Sequence, residues 1–345
     1  MAPCTVGTTP RPQEFRHRLD RPGTGGAVSV GEVNQTRTEA PRLSLTVILA
    51  FAANVLIAVA KSVAAVLTGA ASMVAEAAHS WADAGNEVFL MTAERRAARA
   101  ADAEHPAGYG REAYVWSMMA AIGLFVAGSA VSIVHGIQAL VNPEPATDFL
   151  VAYIVFAVAL VLEGISFTQA LRQIRAEAKA SGRDLIDQAV ATSDPTLRAV
   201  FAEDFAAVVG VLLAAGGVVA HDVTGSPVPD AIGSILVGVV LGVIAVVLFD
   251  RNRAFLVGEV VSPEQRALVL AGLREHEQIA RVTMLHVEFV GPRKVMLMAR
   301  VDLTGDVPES ELAPRLRSVE RELNERPAVA LSMLAPSVPG EPELT

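Results

Sequence analysis

The stretch SMVAEAAHSWADAGN, Ser72 to Asn86, lies inside an apolar run long enough to cross a bilayer, yet it carries Glu76, His79 and Asp83. At 100° per residue, Ser72, Glu76, His79, Asp83 and Asn86 fall within an arc of roughly 80° on one helical face. Met73, Val74, Ala77, Ala78 and Ala84 occupy the other side. Each ionisable group placed at mid-membrane costs about 2.5–3.5 kcal/mol, so such groups face a protein interior and mark an ion or proton path. An imidazole and a carboxylate at i and i+4 can grip one small divalent cation together.

Composition agrees with a membrane setting. The chain of 345 residues is 52% hydrophobic and 19% charged, which points to an integral membrane protein rather than two or three soluble domains. A net charge of −9 argues against nucleic-acid binding. The single cysteine, Cys4, excludes an intramolecular disulfide or a thiolate cage, which leaves nitrogen and oxygen ligands for any metal. The N-terminus has no apolar signal-peptide core, and residues 1–42, rich in Pro, Gly, Thr and Arg, read as a disordered tail.

Apolar spans near 44–67, 71–93, 113–139, 149–171, 198–220 and 229–250 predict six transmembrane helices within residues 43–253. Thr68-Gly69-Ala70 permits only a tight hairpin between the first two. Lys61, deep in the first span, is expected to face other helices or to snorkel. Arginines and lysines concentrate in the tail, after the second span (Arg95, Arg96, Arg99, Arg111), after the fourth (Arg172, Arg175, Lys179, Arg183) and after the sixth (Arg251, Arg253). The connections 68–70, 140–148 and 221–228 contain none, so both termini are expected in the cytoplasm.

Residues 254–337 change character. Ser262-Pro263-Glu264 opens an amphipathic helix over 262–279, and Val282–Val290 and Val295–Leu303 alternate as strands around Gly291-Pro292-Arg293. Glu309–Glu325 reads as a second helix and Val329–Leu334 as a last strand. That order suggests a compact cytoplasmic α+β domain, ferredoxin-like in arrangement, followed by a tail at 338–345.

Glu203 and Asp204 are the notable polar residues of the fifth span, AVFAEDFAAVVGVLLAA. Adjacent carboxylates there cost roughly 5–7 kcal/mol unless something positive compensates, and a divalent cation would. Glu76 is a partner of the ligands or a buried proton carrier. Asn86 and Glu87, near the expected helix end, suit a solvated role. His135 on the third span and Glu163 on the fourth are lone polar groups: the first suits a hydrogen bond between helices, the second a supporting contact or a proton relay.

The chain resembles the cation diffusion facilitators, six-helix divalent-metal transporters with a cytoplasmic ferredoxin-like domain. The likeness rests on AEAAHSWADAGN in the second span, on His105-Pro106-Ala107-Gly108-Tyr109-Gly110-Arg111-Glu112, and on Asp230-Ala231-Ile232-Gly233-Ser234, and it covers about residues 43–335. It implies a metal site in which His79 and Asp83 match the second-helix pair and Asp204 the fifth-helix aspartate. Val200 stands where a fifth-helix histidine is usual, and Glu203 is the candidate to replace it. The SDPTLRAVFAED context is similar to a divergent branch that includes a mitochondrial zinc transporter of animals. In the loop motif Tyr109 replaces a frequent histidine, leaving Asp102 and His105 as a candidate accessory site. His276 and His286 do not reproduce the family's cytoplasmic metal cluster. His276 reads as a solvated helix residue and His286 as a packed strand residue, so the tail domain reads as a dimerisation module.

The expectation is therefore a homodimeric secondary exporter of a divalent cation, Zn2+ first, from the cytoplasm across the cell membrane in exchange for protons, with no resident cofactor. A carboxylate-rich site also suits Mn2+ or Fe2+, and a scaffold or sensor that has lost transport is a further alternative. An intramembrane metalloenzyme is disfavoured: Ala280 stands where His276-Glu277 would need a second histidine.

Overall fold

A computed structural model describes residues 45–143, 148–181 and 183–344. The expected tail over 1–42, with Cys4 and its arginines, lies outside the described residues. Among those described, the chain runs α1 (Leu45–Thr68), α2 (Ala71–Ala97), α3 (Glu112–Gly123), a π-helical stretch (Leu124–Ala130), α4 (Val131–Val141), α5 (Phe149–Ser181), α6 (Leu185–Ala191), α7 (Pro195–Thr224) and α8 (Val228–Val257). Then come α9 (Pro263–Arg274), β1 (Ile279–Gly291), β2 (Lys294–Leu303), α10 (Glu309–Asn324) and β3 (Val329–Pro336). The protein is a multi-pass helical membrane protein with a small C-terminal sheet. Four of the described helices, Glu112–Val141, Phe149–Lys179, Pro195–Thr224 and Val228–Val257, are long and apolar enough to cross a bilayer. α1 is 24 residues long, and Lys61 is its one charged side chain. The α2 helix is long but carries the polar residues on which the sequence reading turned.

The helices exceed their apolar spans. α5 continues to Ser181 and α8 to Val257, because polar, helix-favouring sequence follows each apolar run. Sequence reading did not anticipate α6 or the π-helical stretch, which lie within a polar connection and an unbroken apolar run. Side chains that face outward, such as Val63, Val126, Ile154, Val161, Val243 and Val246, are apolar and exposed, as a lipid-facing surface requires. The inner core joins Ala64, Met73, Ala82, Leu124, Phe156, Val211, Val218 and Leu241, so α2 is enclosed by the rest. The Asp194 carboxylate caps α7, accepting from Thr196 N at 3.1 Å and Leu197 N at 3.2 Å, with Pro195 in the first turn.

In the C-terminal domain Ser262 and Gln265 form a reciprocal capping box. α9 stops at Arg274 rather than near 279, because Glu275-His276-Glu277-Gln278 has no apolar face to bury. His276 therefore sits in a turn, where its Nδ1 accepts from Gln278 N at 3.2 Å. The sheet has order β1-β2-β3, with β1/β2 antiparallel and β2/β3 parallel. Its core is Leu270, Leu273, Val282, Val287, Leu297, Val301, Leu316, Val319 and Leu323, drawn from both helices and the strands. Residues beyond β3 fold back: Leu344 N donates to Val282 O at 2.9 Å.

The tip of the β1–β2 hairpin meets the helical bundle. A Cβ on Gly291 would stand 2.6 Å from the Gly110 Cα, so neither position has room for a side chain. Arg293 reaches Glu177 at 3.1 Å and Asp194 at 3.4 Å, and Arg111 pairs with Glu288 at 2.8 Å.

Candidate metal-binding site

The buried face of α2 carries the predicted residues. Glu76 and His79 are wholly buried, and Asn86 nearly so. His79 Nε2 lies 3.4 Å from Asp83 Oδ2, one turn on. Neither His79 ring nitrogen has a hydrogen-bond partner; nor do Glu76 Oε1, Ser80 Oγ, Asp83 Oδ1, Asn86 Oδ1 or Glu87 Oε2, all buried. One orphaned buried polar atom costs about 1–3 kcal/mol. A file of them along one helix marks a face built for a polar guest.

Beside this face is a cavity of about 150 Å³. α2 contributes Ser80, Asp83 and Glu87; α7 contributes Val200, Glu203 and Asp204; α5 contributes Glu163 and Ser166; α1 contributes Asn54. Three of these acids are held by a neighbouring helix. Asp204 Oδ2 accepts from Ser166 Oγ at 2.8 Å, Glu87 Oε1 from Asn54 Nδ2 at 2.7 Å, and Glu203 Oε1 from Asn86 Nδ2. Asp83, Glu163, Glu203 and Asp204 thus share one space, while His79 sits behind Asp83 and is not part of the cavity wall. Among the described residues, no three His, Cys, Asp or Glu side chains converge closely enough to hold an ion. Val200 occupies the cavity wall one turn before Asp204, where only an apolar surface is offered.

Asn86 is buried rather than solvated, and Glu87 is half-buried on the cavity wall. The helix runs on to Ala97, which leaves both well inside it, and both carry buried oxygens. The reading of Lys61 as facing other helices holds. Lys61 is 1% exposed, donates to Glu76 Oε2 at 3.0 Å and lies 3.7 Å from Glu163 Oε1.

The loop residues Asp102 and His105 are elsewhere. Asp102 accepts from Glu104 N, His105 N and the Tyr109 hydroxyl, at 3.0, 2.8 and 2.6 Å. The Tyr109 hydroxyl, with the His105 amide, holds the Asp102 carboxyl below the usual carboxylate range. The His105 ring packs on Tyr109 with centroids 4.1 Å apart, and Arg99 covers the Tyr109 face. The carboxylate is spent on the turn. In the C-terminal domain, His276 contacts Glu322 and His286 contacts Glu288, each at 3.1 Å.

Two residues escaped the sequence reading. Asp230, noticed only as part of a motif, accepts from Ala71 N and Ser72 N and so caps α2. His221 is buried against Phe149 with Nδ1 unpartnered.

The family model for the cation efflux transmembrane domain matches residues 47–257. The chain belongs to the cation efflux family. It is 36% identical over 235 residues to metal tolerance protein C4 of Arabidopsis thaliana, covering 68% of this chain and 51% of that one. It is 34% identical over 277 residues to the mitochondrial proton-coupled zinc antiporter SLC30A9 of Xenopus laevis, covering 77% and 50%. The human protein of that name is 32% identical over 247 residues, covering 72% and 44%. This cation efflux chain therefore spans about half the length of the curated relatives it matches. Its family is one of transporters, not enzymes.

Proposed function

We propose that the chain is a secondary transporter that exports a divalent metal cation, Zn2+ foremost, from the cytoplasm in exchange for protons. The observation that carries this reading is the file of unpartnered buried polar atoms on α2, opening through Asp83 onto a cavity of carboxylates. His79, Asp83 and Asp204, with Glu203, are the ligands; Glu76, Glu163 and Asn86 support them or carry protons. A small closure that brings α7 toward α2 would gather these groups around one ion.

Binding needs a neutral His79 and ionised carboxylates, so loading expels protons, and protons arriving from the far side compete for the same lone pairs. One site that holds either cation or protons, exposed alternately, is enough for exchange. The names of the antiporter relatives favour zinc and proton coupling. The reading further assigns six spans, with α1 and α2 crossing beside the four apolar helices, and a ferredoxin-like cytoplasmic domain through which two copies pair. Arginine placement supports cytoplasmic termini, and the cell membrane is the assigned location. The oxygen-rich cavity favours Mn2+ or Fe2+ as the second choice of cargo.

Purified protein in vesicles with an imposed pH gradient tests this. Wild type accumulates Zn2+, and His79→Ala or Asp83→Ala lowers the rate at least about tenfold. Unchanged flux in both variants refutes the site. Absence of flux for every divalent cation favours a non-transporting scaffold.

A further inference from the structure

Lys61 has more carboxylate than it needs. Burying an ammonium costs several kcal/mol, and one carboxylate already neutralises its charge. Glu76, wholly buried and 3.0 Å away, is that partner. Glu163 is a second one, at 3.7 Å, and differs in place: it is 17% exposed and forms part of the cavity wall beside Asp83 and Asp204. Asn54 and Lys61 lie two turns apart on one face of α1. That face thus presents an amide to the cavity and an ammonium just behind it. Glu163 stands between the fixed cation and the space assigned to the moving one.

We propose that Lys61 is a tethered cation that competes with the transported ion for the Glu163 carboxylate. In this state Glu163 faces the ammonium. A divalent ion in the cavity carries twice the charge and approaches a carboxylate oxygen more closely than 3.7 Å, so it draws Glu163 away as a further ligand. Glu76 keeps Lys61 neutralised while this happens. When the site opens on the far side, the ammonium reclaims Glu163, which weakens the hold on the ion and hastens its release. Lys61 is a positioning residue in this scheme; it acts on the ion through Glu163.

The inference rests on the transport reading above, and equilibrium Zn2+ binding to the detergent-purified full chain separates the two. Lys61→Met alone strands Glu76, so the variant of choice is Lys61→Met/Glu76→Gln, which removes the pair with little change of volume. It is expected to bind Zn2+ about tenfold or more tightly than wild type, and to transport with a lower KM and a lower turnover. A merely structural role would lower turnover without tightening binding. Adding Glu163→Gln should abolish the gain. Binding no tighter than wild type, or a gain that survives Glu163→Gln, overturns the proposal while the transport reading stands. Wild-type protein that neither binds nor moves Zn2+ overturns both.

Discussion

The carboxylate of Asp230 accepts a hydrogen bond from the backbone N–H of Ala71 at 2.6 Å, so the first turn of α8 caps the helix that carries His79 and Asp83. Ala70, at the N-cap position of α2, has no side chain able to do this. Ser72 adds its backbone N–H at 3.2 Å and its hydroxyl. A negative charge at a helix N-terminus is favourable, and the two backbone donors would otherwise be buried without a partner, whereas the Ser72 hydroxyl also reaches Ala214 O at 3.3 Å. Asp230→Ala is expected to cost about 2–4 kcal/mol and Ser72→Ala about 1 kcal/mol, read as thermal stability of the detergent-solubilised protein. Equal effects from the two would show that the backbone donors contribute nothing.

Gly210 on α7 makes room for a carboxylate. A Cβ there would stand 2.8 Å from Glu76 Oε1, so the carboxylate must turn about the Oε2 that holds Lys61. Gly210→Ala should cost about 1–3 kcal/mol by overpacking. Glu76→Asp, a shorter acid, should recover part of that loss in the same background. A Gly210→Ala protein that melts with wild type would mean the bundle relaxes freely at this crossing.

The chain end gives a prediction with a definite pH sign. The Glu341 carboxylate accepts from the Thr283 hydroxyl at 2.9 Å, from Val338 N at 3.3 Å and from Arg300 at 3.2 Å, and these contacts hold its pKa below 4.5. A depressed acid contributes stability that is present above its unfolded pKa and is lost as pH falls through the folded one. Docking of residues 338–344 on the sheet should therefore weaken only below pH 4.5. Protection of the Leu344 amide, corrected for intrinsic exchange, should fall in that window, and Glu341→Gln should flatten the dependence. Protection that is already lost near neutral pH would contradict this.

Much of this was legible in the sequence because periodicity reports on one helix at a time. The arc holding Glu76, His79, Asp83 and Asn86 needed nothing but 3.6 residues per turn. The strands of the C-terminal domain announced themselves by alternation, and Ser262 by its capping spacing. Partners across helices did not. Periodicity places Lys61 on a face of α1 but cannot say that Glu76 and Glu163 stand opposite it. Asp230 caps a helix that begins far upstream, and no local signal encodes that. The solvated reading of Asn86 failed because nearness to the end of an apolar run does not decide exposure: Asn86 lies within that run, on the same inward arc as Glu76 and His79.

The contact between Gly110 and Gly291 has a mechanical consequence. α3 starts just beyond Gly110, and α7 starts at Asp194, which Arg293 grips from the same hairpin tip. Two helices moored to one bollard cannot drift apart at that end.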